Sequence, residues 1–75
     1  MSAIEYIRRH VFGLSQALFA EIANVSQATV SRWEAGGLEP DREQMRSIRD
    51  EARRRGLPWQ DDWFFDAPSQ REDAA

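Results

Sequence analysis

The sequence predicts an all-α fold, a compact bundle of four to five helices. Apolar residues recur three and four positions apart, which is the spacing of one helix face. Residues that favour helix N-termini stand before each such stretch, and Gly, Asn or Pro follows it. A chain of 75 residues is the size of one small domain with a marginal core. We therefore expect a single domain over residues 1–65, followed by an acidic, disordered tail over residues 66–75.

The first helix is predicted over about residues 3–11. Ser2 and Glu5 fit a capping box, in which each side chain accepts a hydrogen bond from the other residue's backbone N–H. Gly13 marks the end of the helix. Its apolar face is predicted to consist of Ile4, Ile7 and Val11.

Two short helices with the same beginning follow, since Ser-Gln-Ala occurs twice, starting at Ser15 and at Ser26. Each Ser is placed to cap a helix, and these helices are predicted over about residues 16–23 and 27–35. Two short helices joined by about three residues form a helix-turn-helix. The motif is predicted over about residues 15–35.

The sequence has suitable residues at the positions where these two helices must pack closely and the chain must turn tightly. Ala20 is small where the helices cross, and Asn24 tolerates the left-handed conformation that a tight turn requires. Val25 is predicted to fill the corner, while Val30 and Trp33 face the core from the second helix. The apolar side of the first of the two helices is predicted to consist of Leu18, Phe19, Ile22 and Ala23.

A fourth helix is predicted over about residues 42–55. Asp41 and Gln44 have the spacing of a helix start, and Gly56 and Pro58 end the helix. The apolar face of this helix is a thin stripe of Met45, Ile48 and Ala52.

Four arginines of the fourth helix lie within about 60° of one another around its axis. This arginine stripe either faces phosphates or a partner, or it is an ordinary solvated face. Oppositely charged pairs four residues apart favour the solvated face. The stripe consists of Arg42, Arg46, Arg49 and Arg53. The predicted pairs are Arg46–Asp50, Asp50–Arg54 and Glu51–Arg55.

Four aromatic residues fall within seven positions after the fourth helix, and we call residues 59–65 the aromatic segment. Each aromatic side chain buries about 150–250 Å². The segment is therefore predicted to fold back and complete a core that the helices leave thin. The alternative is an exposed surface for a second copy or another protein, with a partner binding through residues 59–75. The four residues are Trp59, Trp63, Phe64 and Phe65.

The charge of the chain is distributed unevenly. All ten basic residues are arginine, and the net charge is -3. Residues 1–59 carry +1, whereas residues 60–75 carry -4. Nucleic-acid-binding domains usually show a basic excess, which this chain lacks. The acidic tail is interpreted as a solubilising end or as a segment that repels non-specific DNA or contacts a protein.

The sequence has no pattern typical of catalysis or metal binding. Cysteine is absent, His10 is the single histidine, and neither a Gly-rich phosphate loop nor an HExxH motif occurs. We therefore expect no enzyme activity, no cofactor and no metal site. No apolar run approaches the roughly 20 residues of a membrane span, and the N-terminus does not resemble a signal peptide. A cytoplasmic protein without membrane contact is expected.

The stretch LSQALFAEIANVSQATVSRWEAG, from Leu14 to Gly36, resembles the helix-turn-helix of the lambda-repressor/Cro (XRE-type) family. Asn24 stands where Gly is commoner in that family. The resemblance implies a DNA-binding protein of bacterial or phage origin that binds double-stranded DNA as a homodimer. Because the chain has no separate effector domain, it is most similar to a Cro-like repressor. The residues in register are Gln16, Ala20, Val25, Ser26, Val30, Ser31, Trp33 and Glu34.

The resemblance also implies DNA contacts. Gln16 is expected to contact the DNA backbone and brace Gln27, which enters the major groove. An exposed helix N-terminus holds phosphate, so phosphate contacts are expected from Ser15, Gln16, Ser26 and Arg42. With Val30 and Trp33 facing the core, the base-reading face is predicted to consist of Gln27, Ala28, Thr29, Ser31 and Arg32.

Two other functions are compatible with the sequence. In a protein-binding adaptor, the aromatic segment and acidic tail would bind a partner and the helix-turn-helix would be incidental. In an antitoxin, the protein would bind DNA and also capture a toxin through its C-terminal aromatic residues. A steep loss of binding with salt would indicate DNA binding, whereas a co-purifying small protein would indicate an antitoxin.

Overall fold

The computed structural model describes residues 2–66, and this range folds as a bundle of helices without a β-strand. The predicted all-α class is confirmed. The predicted tail lies outside the described residues, apart from Asp66. In chain order the elements are α1 (Ala3–Tyr6), a π-helical segment (Ile7–Phe12), α2 (Gln16–Ala23), α3 (Gln27–Ala35), α4 (Arg42–Arg54) and a 3₁₀ helix (Asp61–Phe64).

The capping box predicted for the first helix is incomplete, whereas α4 begins with a complete one. At α4, the Gln44 N–H donates to Asp41 Oδ1 at 2.8 Å, and the Asp41 N–H donates to Gln44 Oε1 at 2.7 Å. At α1, the Glu5 N–H donates to Ser2 Oγ at 3.1 Å. The Glu5 carboxylate, however, accepts a hydrogen bond from Arg9 at 3.0 Å. The prediction for this carboxylate is therefore wrong, because an arginine four residues on offers it a charged partner.

The first predicted helix has the expected extent but not the expected type throughout. It is α-helical over its first turn and π-helical from Ile7 to Phe12. The Gly13 N–H donates to the Arg8 carbonyl, and Gly13 ends the helix with a φ of 67°. The wider π turns hold both Val11 and Phe12 against the core. Apolar spacing alone does not distinguish a π turn from an α turn, so the sequence did not predict it.

The core lies where α1, α2, α3 and α4 meet. Leu18 was predicted on the apolar side of α2, but it is 51% exposed. Burial of the face that carries Phe19, Ala20 and Ala23 turns Leu18 toward solvent, since each residue advances about 100° around the helix. The buried apolar residues are Ile4, Ile7, Phe19, Ala20, Ala23, Val30, Trp33, Ile48, Ala52 and Trp63.

The aromatic segment folds back onto α1, as one of its two interpretations predicts. Trp63 is only 8% exposed and packs edge-on against Tyr6, with ring centroids 5.6 Å apart. Trp59 contacts both Trp63 and Phe64 at centroid distances of 5.9 and 5.3 Å. Phe65 is the exception, because 76% of it is exposed. Three of the four rings therefore extend the core, and one ring faces solvent.

The Glu51 carboxylate binds two arginines at the end of α4. It accepts a hydrogen bond from Arg55 at 2.7 Å, which confirms that predicted pair. It also pairs with Arg54, three residues on. Hydrogen bonds from Arg54 and then Arg55 lower the pKa of Glu51 to about 2. Since Arg54 is engaged by Glu51, the predicted pair between Asp50 and Arg54 is wrong.

Most of the arginine stripe has no charged partner. Arg49 donates to the neighbouring Asp50 at 3.1 Å. Asp50 forms no ion pair with Arg46, so that predicted pair is also wrong. Within residues 2–66, no ion pair is formed by Arg42, Arg46 or Arg53.

Candidate nucleic-acid interface

The turn between α2 and α3 has the geometry that the sequence predicts. Asn24 adopts the left-handed conformation with φ 60° and ψ 45°. The Val25 N–H donates to the Ala20 carbonyl at 3.0 Å, which closes the end of α2. Ala20 is 3% exposed, so its small side chain lies in the contact between helices. Val25 packs partly buried against the core, which confirms its predicted place in the corner.

The N-termini of α2 and α3 are built in the same way. Ser15 Oγ accepts a hydrogen bond from the Leu18 N–H at 3.2 Å, and Ser26 Oγ accepts one from the Thr29 N–H at 3.1 Å. Both serines are exposed. A capped helix still has N–H groups in its first turn without an intrahelical partner, and the helix dipole places partial positive charge there. The repeated Ser-Gln start therefore creates two exposed helix N-termini that can bind anions.

The predicted base-reading residues lie on the outer side of α3. Val30 and Trp33 are 0% and 3% exposed, so the opposite face points away from the core. Thr29 is half-buried, and its Oγ1 lies 3.0 Å from Ser26 Oγ. Arg32 forms no ion pair with another residue of the range 2–66. The other exposed members of the set are Gln27, Ala28 and Ser31.

An ion pair between the π-helical segment and α3 fixes the position of α3. Arg8 Nε donates to Glu34 Oε2 at 2.6 Å, and Arg8 Nη2 donates to Glu34 Oε1 at 3.1 Å. The two side chains are 13% and 10% exposed. The hydrogen bonds that Arg8 donates to Glu34 raise the pKa of Arg8 above its ordinary value, and the negative charge of Glu34 adds to the shift. Arg8 Nη1 also donates to the Leu14 carbonyl at 2.9 Å, so the pair reaches the start of α2.

The side-chain amide of Gln16 also binds the Glu34 carboxylate of this ion pair. Its Nε2 donates to Glu34 Oε1 at 3.1 Å. The resemblance implies that Gln16 braces Gln27 when DNA is bound, which stays a prediction; in this structure Gln16 bonds to Glu34. The carboxylate of Glu34 is a charged acceptor, and a hydrogen bond to it is stronger than one between two neutral amides. Gln16 instead ties the N-terminus of α2 to the C-terminal part of α3.

Arg8 and Glu34 were not among the predicted site residues. A signal for Arg8 was present, because helical spacing places it beside Ile4 and Val11 on the apolar face. A charged residue on a buried face usually has a charged partner. The partner itself was not predictable from spacing, since it lies 26 residues away in the sequence.

The loop before α4 contributes Arg42, which is exposed at the first position of the helix. Two acidic residues, Glu39 and Asp41, precede it. The carboxylate of Asp41 is engaged by the Gln44 backbone in the capping box. Asp41 therefore stabilises the start of α4, and Arg42 is the exposed basic residue that follows it.

The described residues show neither a metal-binding cluster nor a membrane-spanning helix. Within residues 2–66, no group of three or more His, Cys, Asp or Glu side chains is arranged to hold a metal ion. None of the helices in this range is long and apolar enough to cross a membrane.

The fold and these two exposed helix N-termini define a helix-turn-helix protein of the DNA-binding type. The family model described as Helix-turn-helix matches residues 4–50, which is more than half of the chain. The protein therefore belongs to the lambda-repressor-like (XRE-type) helix-turn-helix family, a family of DNA-binding regulators. No curated protein and no solved structure gives a significant match to the chain.

Proposed function

We propose that this protein is a Cro-like transcriptional repressor that reads double-stranded DNA with α3 in the major groove. The observation that carries the proposal is the division of α3 into a buried side, with Val30 and Trp33, and an exposed polar side. The exposed side begins at a capped helix N-terminus. One face can therefore approach phosphates and base edges together.

The chemistry of the exposed side suits base recognition. Gln27 can form two hydrogen bonds with adenine, and Arg32 can do the same with guanine. Ala28 and the Thr29 methyl group can pack on the thymine methyl group, while Ser31 can donate to or accept from a base edge. We assign base reading to these five residues, with Arg32 contributing the charged contact.

Phosphate contacts supply the second part of the interface. We assign them to the N-terminus of α2, with Ser15 and Gln16, and to the N-terminus of α3, with Ser26. Arg42 adds one cation from α4. Backbone N–H groups and helix dipoles attract phosphate without a side-chain charge, which suits a chain of net charge -3.

The proposal includes two copies of the protein on each site. Dimers of this motif place two recognition helices about 34–36 Å apart, one helical turn of DNA. A regulator with this arrangement represses by occupying promoter DNA. A bacterial or phage origin and a cytoplasmic location are part of the same proposal.

Selection of bound duplexes from a random DNA pool tests the proposal. The wild type is compared with a Gln27→Ala, Arg32→Ala double variant, and Arg53→Ala serves as the control because Arg53 is an exposed arginine away from α3. We expect the wild type and the control to enrich the same paired motif, and the double variant to lose it. No enriched motif, or a motif retained by the double variant, would contradict the proposal.

A protein-binding role, as an adaptor or an antitoxin, is favoured by a different observation. Phe65 is 76% exposed beside the arginine stripe, although the other three rings of the aromatic segment pack inward. This surface does not overlap the predicted base-reading residues. It is compatible with DNA binding by α3.

A further inference from the structure

A groove runs between α4 and the 3₁₀ helix, away from the base-reading residues of α3. It encloses about 280 Å³. Its floor is apolar, with Met45 and Phe64 half-buried and Phe65 largely exposed. One wall is formed by three members of the arginine stripe, Arg42, Arg46 and Arg49.

The apolar floor continues into a second hollow of about 310 Å³ toward α1 and the loop after α3. Met45, Phe64 and Phe65 line both hollows. Leu38, at the far side of the second hollow, is 45% exposed. Contiguous exposed apolar side chains of this kind are typical of a protein-binding surface.

The charge of the groove determines what can bind there. Its arginines face a single acidic residue, Asp61, whose Oδ1 accepts a hydrogen bond from Trp59 Nε1 at 2.7 Å. Arg42 and Arg46 have no ion pair within residues 2–66, and Arg49 has only the exposed Asp50. The groove therefore presents excess positive charge beside an apolar floor. Arginine and aromatic residues together are enriched where protein interfaces gain most of their binding energy.

We infer that this groove binds an acidic segment of a protein partner. The segment would place a large apolar side chain on Met45, Phe64 and Phe65, and its carboxylates would pair with Arg46 and Arg49. Positions i, i+4 and i+7 of α4 span about 10 Å along one face. That spacing suits carboxylates three to four residues apart on a helical segment.

Two other occupants fit the groove less well. A second copy of this chain would bring its own arginine stripe against the first one, and like charges brought together oppose association. DNA would satisfy the arginines but not the apolar floor, because phosphate and sugar contacts do not need exposed aromatic rings. An acidic segment with an apolar anchor matches both the charge and the floor.

Selection from a phage-displayed library of short random peptides tests this inference on the full chain. We expect enriched peptides to carry acidic residues around a Phe, Trp or Leu. Phe65→Ala and Arg46→Glu should each weaken binding of an enriched peptide at least about tenfold. The controls are Leu18→Ala, an exposed apolar residue on α2, and Arg53→Glu, a stripe residue outside the groove. Both controls should change binding less than about twofold.

Several results would overturn the inference. They are the absence of any enriched peptide, enrichment of peptides without acidic residues, and equal losses in the groove and control variants. A dimer of the wild type that Phe65→Ala dissociates in sedimentation would assign the groove to a second copy.

Binding to the selected DNA is measured on the same variants. We expect Phe65→Ala and Arg46→Glu to retain it, because Arg42 is the one residue of the groove that belongs to the proposed DNA interface. Loss of DNA binding in these variants would assign the groove to DNA and overturn the inference. The inference does not depend on the proposed function, so a failure of DNA selection alone would leave the peptide result interpretable.

Discussion

The carboxylate of Glu34 lies in the last turn of α3, where the helix dipole disfavours a negative charge. It is stabilised there by the Arg8 guanidinium and the Gln16 amide. These bonds connect three elements that must keep a fixed geometry if α2 and α3 are to meet one DNA duplex. The most buried charges among the described ion pairs therefore hold α3 in place against α2 and the π-helical segment.

Glu34→Gln should lower the free energy of unfolding by about 3 kcal/mol, because it leaves the largely buried Arg8 cation without its anion. Urea denaturation followed by circular dichroism measures the change. The matched control is Glu21→Gln, an exposed acid on α2, which should change stability by less than about 0.5 kcal/mol. Equal stability of the two variants would show that the pair contributes nothing to the fold.

Arg32→Ala should weaken binding to the selected DNA site by about 1–3 kcal/mol, the usual cost of losing one bidentate base contact. The thermal midpoint should stay unchanged, because Arg32 is exposed and has no ion pair within residues 2–66. Fluorescence anisotropy and thermal melting give the two values. An unaltered affinity would remove Arg32 from the base-reading set.

Trp33→Ala should destabilise the protein by about 3–5 kcal/mol, enough to unfold so small a domain. The lost stability should come from lost packing contacts. The indole N–H of Trp33 is buried without a hydrogen-bond partner among the described residues, so the substitution removes no hydrogen bond. Thermal melting beside Leu18→Ala, an exposed site, checks the prediction. A Trp33→Ala protein that melts at the same temperature as the wild type would mean that Trp33 does not lie in the core.

At the scale of elements, the aromatic segment has two roles that its sequence did not separate. The 3₁₀ helix buries Trp63 against Tyr6 and Trp59, which adds area to a core that four short helices leave small. Two residues later, Phe65 is largely exposed to solvent. The same short element therefore closes the core on one side and forms the floor of the proposed docking groove on the other.

Trp63→Ala should cost about 3–5 kcal/mol of unfolding free energy, since Trp63 is 8% exposed. Phe65→Ala should change it by less than about 0.5 kcal/mol, since little of that ring is buried. Chemical denaturation of both variants gives the comparison. A large loss in Phe65→Ala would show that Phe65 belongs to the core and is not available to a partner.

At the scale of the whole molecule, the negative net charge limits how much of the DNA affinity comes from cations. The proposed interface contains two of them, Arg32 and Arg42. The slope of log affinity against log salt should therefore be about -2 per copy, and Arg42→Ala should reduce its magnitude by about 1. Anisotropy titrations at increasing salt measure it. A slope steeper than about -5 per copy would bring the other members of the arginine stripe into the DNA interface.

Prediction from sequence succeeded where the information is local. The starts of α2, α3 and α4 follow from Ser15, Ser26 and Asp41, whose caps are hydrogen bonds to residues three positions on. The turn between α2 and α3 follows from Asn24, one of the few residue types that tolerate the left-handed conformation. These features depend on a few consecutive residues, so they can be predicted from the sequence.

Prediction failed where several partners within reach compete. Glu51 forms ion pairs with both Arg54 and Arg55, and Asp50 pairs with Arg49. Four-residue spacing alone predicts other pairs. Gln16 donates to Glu34, a partner that the spacing of the sequence did not indicate. Spacing gives the set of possible partners, whereas the choice depends on side-chain positions that only the packed helices define.

The sequence by itself determined the helix boundaries, the helix-turn-helix, and the outward face of α3, because periodicity and capping act over a few residues. The tertiary structure alone decided that Arg8 pairs with Glu34, that the end of the first helix is π-helical, and that Trp63 is buried while Phe65 is exposed. These outcomes depend on contacts between residues far apart in the chain. Their geometry is fixed only when the helices pack around one core.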